Sequence, residues 1–521
     1  MDFVSALRRT TQQHGNRTAV TFAGAHQSYD ELWERACRLA NALRLLGLMP
    51  GDRVATLADN TAESVEIVCG LALAGLVRCP MYVQNPTDAH LHMLNAVGAR
   101  ALIVDEEYYI DLRDLLADIP SLRHIVVRGP GATSPIGYHD LISNGSTDEP
   151  AVRISIEDPY IIRFSSGTTG RPKGILHTVR GWAAMGHAFQ AALPAIEPTD
   201  SYLVAGPLSH AAGLVSWPMI SSGARHVIMA RFDAGKFIDL AERERCTMTL
   251  LVPTMIQLIV NHPAAAHKDL SSLRAIFYGA APISERTLTD ALELWGPVLH
   301  QLYGQSEAPA LTVLPASCHV TGGNEPNLRY LRSAGRPTPH TEIKILDDDD
   351  LELPAGQAGE ICARTPGAML KVWGDPDTTA ARFTDDGYIR TRDVGYLDEQ
   401  GFLYLADRKE DLIISGGFNV WPAEVENALC SHPAVMEAAV VGAPDDKWGE
   451  TVVAVVLLRD GFEASPTDLI AWCRGKIGPV KKPTRVEFSD GPLPKNGFGK
   501  LLRRVIREKF WQGESRAIRG A

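Results

Sequence analysis

Over residues 29–46 the apolar side chains Leu32, Ala36, Leu39, Ala40 and Leu43 recur at helical spacing, which predicts an amphipathic helix. The runs 54–58 and 101–104 are short and strand-like. Helical patterns between such strands predict parallel βαβ layering. The alternation continues with a strand over 226–229, a helix over 232–245, strands over 248–252 and 273–278, and a helix over 284–295. From about 342 the texture changes to hairpins: Ile343-Lys-Ile-Leu, the acidic turn 347–350, then Gly359-Glu-Ile-Cys-Ala. After Asp407-Arg-Lys-Glu-Asp411 a second α/β pattern begins, with a helix over 422–432 and strands over 435–441 and 451–458. The expected fold class is α/β: a large N-terminal domain, 1–408, of layered βαβ subdomains plus a β-rich subdomain over about 335–408, and a small α+β C-terminal domain, 409–521.

Length and composition narrow the class. A chain of 521 residues, 45% hydrophobic and 22% charged, has room for two or three packed subdomains and carries no mark of disorder. The longest apolar run, 67–77, contains glycines and stops at Arg78, short of the roughly 20 residues that cross a bilayer. It reads as a buried helix. The start, Met-Asp-Phe-Val followed by Arg8, Arg9 and His14, lacks the pattern of a secretory signal, so the expected location is cytoplasmic. Eight cysteines without a CxxC pair suggest reduced, packed thiols rather than disulfides or a zinc site. The net charge of −11 argues against general attraction to nucleic acid or anionic membranes. Residues 476–509 run the other way, with ten Lys or Arg against three acidic residues. This basic stretch is either a solvated face or a site for a polyanionic small molecule.

The chemistry concentrates after the apolar run Tyr160-Ile-Ile-Arg-Phe. There Ser165-Ser166-Gly167-Thr168-Thr169-Gly170-Arg171-Pro172-Lys173-Gly174 combines glycines, hydroxyls and a lysine. Glycines let backbone amides approach an anion, hydroxyls donate to phosphate oxygens, and Lys173 adds a cation. Pro172 stands where a Walker A loop requires its glycine, so the spacing is not of that class. Gly304-Gln-Ser306-Glu-Ala308 is one residue away from a hydrolase nucleophile elbow. An elbow needs a helix directly after the serine, and Pro309 with β-branched residues argues against one.

Six further motifs follow in order: Tyr278-Gly-Ala-Ala-Pro282, Tyr303-Gly-Gln-Ser-Glu307, Thr391-Arg-Asp-Val-Gly395, Asp407-Arg-Lys-Glu-Asp411, Ser415-Gly-Gly-Phe-Asn419 and Pro494-Lys-Asn-Gly-Phe-Gly-Lys500. With the Ser165 stretch they make the whole chain resemble the adenylate-forming superfamily of acyl-CoA synthetases, luciferases and peptide-synthetase adenylation domains. The resemblance implies ATP, Mg2+ and coenzyme A as cofactor and co-substrates. It implies that Ser165, Ser166, Gly167, Thr168, Thr169, Gly170 and Lys173 grip the triphosphate, while Gly279, Ala280, Ala281 and Tyr303 frame the adenine, with Gly304, Gln305 and Ser306 beside them. Asp393 and Arg408 would hold the ribose, and Glu307, helped by Thr169, the metal. Lys500 would stabilise the charge that builds as a carboxylate attacks the α-phosphate. Glu410 is the implied hinge for rotation of a mobile C-terminal domain. Gly416 and Gly417 would line a pantetheine passage, and Trp448, Lys481 and Lys482 would meet the CoA nucleotide.

His210, in Pro207-Leu-Ser-His-Ala-Ala-Gly213, matches the family's acyl-site floor, with a gating or orienting role rather than acid-base work. Amino-acid-activating relatives carry an aspartate just after it, where this chain has Ala211 and Ala212. Trp182, Ala183, Ala184, Met185, Trp217 and Ala280 are the expected acyl strip, apolar enough for a fatty, aromatic or polycyclic acid. The expected activity is AMP-forming acid:CoA ligation, with transfer to a carrier protein or another acceptor as the alternative. The expected partners are these small molecules, without nucleic acid or a membrane span, and with a homodimer as the candidate assembly.

Overall fold

The computed structural model describes residues 2–129, 136–165, 172–319, 329–408, 411–416, 418–445, 447–459, 461–495 and 501–511. Among these residues the chain forms four sheets. The helix predicted over 29–46 runs Tyr29–Leu45. It starts there because Ser28 and Glu31 form a capping box: the Glu31 N–H donates to Ser28 Oγ at 3.2 Å, and the Ser28 N–H to the Glu31 carboxylate at 2.7 Å. The apolar run 67–77 divides between the helix Ala62–Leu73 and the strand Val77–Pro80. That helix is buried on nearly every side, which explains its uniform hydrophobicity.

The first sheet has nine strands. Its central run, Leu299–Tyr303, Ala275–Gly279, Met248–Leu251, Ser201–Val204, Arg225–Ile228 and Thr18–Phe22, is parallel throughout. Antiparallel strands close both edges. The second sheet has eight strands, with Pro159–Ser165 between Val77–Pro80, parallel to it, and Lys173–Thr178, antiparallel. The two sheets are joined by a shared core that includes Trp182, Met185, Phe189 and Trp217. The hairpin texture beyond 342 becomes a four-stranded antiparallel sheet, Glu342–Leu346, Gly359–Arg364, Ile389–Leu397 and Leu403–Arg408. The smaller C-terminal domain is built on the long hairpin Val435–Asp445 with Gly449–Leu458, packed by the helices Pro422–Cys430 and Pro466–Lys481. All eight cysteines are free, six of them buried. Among the described residues no helix is long and apolar enough to cross a membrane.

Four of the ten basic residues of the run 476–509 are counter-charged by acids from elsewhere in the C-terminal domain. Lys481 bonds both oxygens of Glu424 at 2.8 Å. Arg503 grips Glu426 at 2.6 Å and Asp411 at 3.1 Å, Arg507 meets Glu450 at 3.0 Å, and Lys495 meets Glu437 at 2.5 Å. These four residues are structural cross-links.

Buried histidines make the stability of this fold pH-dependent. Burial pushes His177, His226, His300 and His319 each down to about 4, whereas an unfolded chain titrates histidine near 6.5. Below that value the unfolded state binds protons that the folded state refuses, so stability falls as pH drops through 6.5 and levels near 4. The thermal unfolding midpoint should be flat above about pH 7 and fall progressively from about 6.5 to 4. Replacing His226, whose ring nitrogens both lack partners, with Phe should flatten that fall. A midpoint indifferent to pH across this window would contradict the assignment.

Candidate active site

The strand Leu299–Tyr303 ends the parallel run of the first sheet, and the chain then bends over 306–308, the Gln305 N–H donating to the Ala308 carbonyl at 3.0 Å. Tyr303 and Gln305 reach toward the antiparallel sheet. Tyr303 Oη donates to Asp393 Oδ2 at 2.8 Å, and Gln305 Nε2 donates to the same oxygen at 2.5 Å and to the Thr391 carbonyl at 2.7 Å. Asp393 is itself held in place: its N–H donates to Thr391 Oγ1 at 3.1 Å, and that hydroxyl donates to the Ile361 carbonyl at 2.7 Å. Arg408 lies opposite Asp393 in the strand register. Glu307, 8% exposed, forms an ion pair with the equally buried Arg382, whose Nη1 donates to the Arg390 carbonyl at 2.8 Å. The second Glu307 oxygen accepts no hydrogen bond among the described residues.

Tyr303, Gln305, Glu307, Arg382, Thr391 and Asp393 line one cavity of about 1590 Å³. Ser165, Lys173, Gly279, Ala280, Ala281, Gly304 and Ser306 share its wall. The Lys173 ammonium bonds Asp375 at 3.0 Å and the Thr378 hydroxyl at 2.9 Å. The Thr378 hydroxyl and N–H, with Lys173, hold the Asp375 carboxyl down at about 2. Gly279 is required by its neighbour strand, since a Cβ there would lie 2.1 Å from the Leu302 carbonyl oxygen. Ala280, Ala310 and Arg392 all adopt positive φ, at 67°, 62° and 61°, and all three line the cavity. Left-handed backbone at non-glycine residues is costly, and three of the seven such residues among those described line this cavity.

The other end is apolar. His210 caps the helix Ala211–Ser221 and sits edge-on to Tyr82, ring centroids 5.2 Å apart, while Ser209 Oγ is 2.9 Å from His210 Nδ1. Burial, reinforced by the Arg163 charge, holds the imidazole well below its ordinary range, so it is neutral. Asn60 fastens the preceding loop: its side chain donates to the Gly206 carbonyl at 2.8 Å and accepts from the Leu208 N–H at 2.9 Å. The sequence carried no signal for Asn60, which lies about 150 residues from the loop it holds. Phe189, Ala211, Ala212 and Leu214 join His210 and Ala280 in the wall. Trp182, Ala183, Met185 and Trp217 are buried behind that wall rather than lining it. Trp217 is wedged over Gly186, and His187 meets its ring edge-on at 4.8 Å.

The C-terminal domain closes one side of the cavity with Trp421, Glu424, Asn427 and Lys481. Gly416 and Trp448 lie away from it. A side chain on Gly416, at φ 58°, would meet the Trp448 ring at 2.4 Å, so the space the glycine leaves is filled by that indole. Trp448 is 48% exposed, with the Lys447 ammonium 4.7 Å above its ring. Lys482 ends the helix Pro466–Lys481. Ser166, Gly167, Thr168, Thr169, Gly170, Glu410, Gly417 and Lys500 lie outside the described residues. Ser306 is followed by bends and then the strand Thr312–Leu314, not by a helix, so the hydrolase elbow is absent.

Removing one partner of a buried ion pair strands the other charge. Arg382→Met should therefore cost about 3 kcal/mol of stability, and adding Glu307→Gln should restore much of it, read as unfolding midpoints in a double-mutant cycle. Additive losses would show that the pair contributes no coupling.

Comparison with known proteins agrees with this geometry. The model for AMP-binding enzymes matches residues 7–373, and that for the AMP-binding enzyme C-terminal domain matches 424–500. A fatty acid–[acyl-carrier-protein] ligase of Streptomyces coeruleorubidus is 35% identical, covering 99% of this chain and 98% of its own. A medium/long-chain-fatty-acid–CoA ligase of Mycobacterium tuberculosis is 33% identical, covering 99% and 90%. The solved structure of an amide bond synthetase from Marinactinospora thermotolerans superposes with a TM-score of 0.88 at 31% identity, covering 98% of this chain and 100% of that one. The chain belongs to the AMP-binding enzyme family, within its acyl-CoA synthetase branch.

Proposed function

We propose that the protein activates a carboxylic acid with an apolar body by forming an acyl-adenylate from ATP, releasing pyrophosphate, and then transfers the acyl group to coenzyme A. The observation that carries this reading is the single cavity that joins an oriented carboxylate, Asp393, to an apolar pocket floored by His210. An aspartate fixed by two donors suits the paired hydroxyls of a ribose. The carbonyl and amide groups around Gly279 to Ala281, beside the Tyr303 ring, suit an adenine edge and face. His210, neutral and packed on Tyr82, orients the acid rather than exchanging protons.

Magnesium fits the residues present. Glu307 offers one carboxylate oxygen that accepts no bond among the described residues, and a Mg2+ bound through phosphates needs few protein ligands. Glu307 would hold the ion, with Thr169 beside it; when bound, the ion supplies charge neutralisation to the phosphates. Arg382 holds the Glu307 carboxylate in place. Lys173 and Ser165 face the triphosphate, and Arg408 supports the sugar opposite Asp393. Lys500 is assigned to adenylation, Glu410 to a hinge near the domain boundary at 408/409, and Gly416, Gly417, Trp448, Lys481 and Lys482 to the second half-reaction. Transfer to a carrier protein is the second reading, favoured by the similarity to the acyl-carrier-protein ligase.

Purified protein with ATP, magnesium and a panel of acids should release pyrophosphate and AMP, with sustained AMP release requiring CoA. Acyl-adenylate that no acid converts to acyl-CoA, yet that loads a phosphopantetheinyl carrier protein, would transfer the assignment to the second reading. Lys500→Ala should slow adenylation by about 10²-fold or more while sparing thioester formation from supplied acyl-adenylate. Equal loss of both steps in a folded variant would refute that division.

A further inference from the structure

Two buried arginines have no ion-pair partner among the described residues, although the charge of Glu307, itself paired with Arg382, is close enough to act on Arg163. Arg78, on Val77–Pro80, and Arg163, on Pro159–Ser165, are 8% and 7% exposed. The strands are parallel neighbours with Arg78 opposite Ile161, so alternation along the strand puts both arginines on one face, a diagonal step apart. The other two buried arginines among the described residues are neutralised, Arg128 by Asp105 at 2.6 Å and Arg382 by Glu307. Arg78 Nε is buried without a partner. Arg163 forms no hydrogen bond or ion pair with any described residue, and its Cζ lies 5.9 Å from the Trp182 ring centroid.

Arg163 lines the cavity. Burial, with Arg78 beside it, lowers Arg163 to about 10, which leaves it charged at neutral pH. It precedes Ser165 by two residues, about 6.6 Å of extended chain, and the charge of Glu307 still reaches it. It shares the cavity with Phe189, His210 and Leu214 of the apolar wall, and its charge acts on His210. A desolvated guanidinium there discriminates by what it lacks. An acid ending in methyl leaves it unpaired, whereas an acid ending in a carboxylate supplies both charge and a planar, two-pronged acceptor.

We propose that Arg163 recognises a second carboxylate on the substrate, so that the protein takes a dicarboxylic acid with an apolar body, one end activated while the other seats against this guanidinium. The inference rests on the acid-activating reading above. It is tested by binding, which requires no turnover. Calorimetry with AMP present compares dicarboxylates with monocarboxylates of matched chain length, for the wild type, Arg163→Met and Arg163→Lys. The best dicarboxylate should bind the wild type about 100-fold tighter than its monocarboxylate partner. Arg163→Met should erase that preference by weakening the diacid alone, with AMP affinity unchanged and the ligand-free unfolding midpoint raised, because a buried unpaired charge is gone. Arg163→Lys should keep part of the preference.

Monocarboxylates binding as tightly as diacids would overturn the proposal, as would Arg163→Met weakening both equally. If Arg163→Met fails to fold, a folded Arg163→Lys without diacid preference overturns it equally. A diacid that binds through Arg163 and is never adenylated would instead sink the acid-activating reading.

Discussion

The site depends on a joint between two sheets of different kinds. Tyr303 and Gln305, at and just beyond the end of a strand of the parallel sheet, reach to Asp393 and Thr391 of the antiparallel sheet, and Glu307 reaches to Arg382 in the turn that precedes that sheet's third strand. Each contact alone is a modest hydrogen bond or ion pair. Together they fix the distance between a segment that follows a βαβ strand and a bulged strand that has no sequence neighbour nearby. The left-handed residues Ala280, Ala310 and Arg392 cluster on the same joint. Their strain persists because the packing on both sides leaves no alternative backbone path.

The elements were legible because their periodicities are strong. The helix over 29–46 has an unbroken apolar face and a capping box, and the turn to hairpins near 342 is a change of period from 3.6 to 2. The run 67–77 was half legible. Its apolarity marked burial, but a helix and a strand that are each buried on all sides look alike in composition, so the break between Leu73 and Val77 lay hidden. The acyl strip shows the same limit at the scale of a site. Trp182, Met185 and Trp217 are as buried as expected, yet burial does not say whether a side chain faces a cavity or the core behind it. That choice is made by Gly186, which lets the Trp217 ring close against its helix, and by Asn60, which ties down the His210 loop from another subdomain.

Charge was the least legible property. Counting residues over 476–509 suggests a basic face, but each arginine and lysine there has its own geometry, and Arg503 and Arg507 are spent on Glu426, Asp411 and Glu450 inside the C-terminal domain. The converse holds at Arg163, a single cation within an apolar strand that no count would single out. Desolvation reverses the usual weighting: many exposed charges contribute little, while one or two buried without a partner dominate the local potential.

The same reasoning bears on the C-terminal domain. Lys481 faces the cavity but is bound by both oxygens of Glu424, a neighbour on the same wall. A phosphate approaching Lys481 must compete with a bidentate carboxylate and would meet the Glu424 charge as well. Trp448 presents the opposite case, an aromatic surface left half-exposed with a lysine above it and its ring packed into the space that Gly416 leaves. The two surfaces lie apart, one on the cavity and one away from it. A C-terminal domain able to serve two half-reactions needs such a separation, because the face turned toward the acyl and nucleotide groups in one step must give way to another in the next.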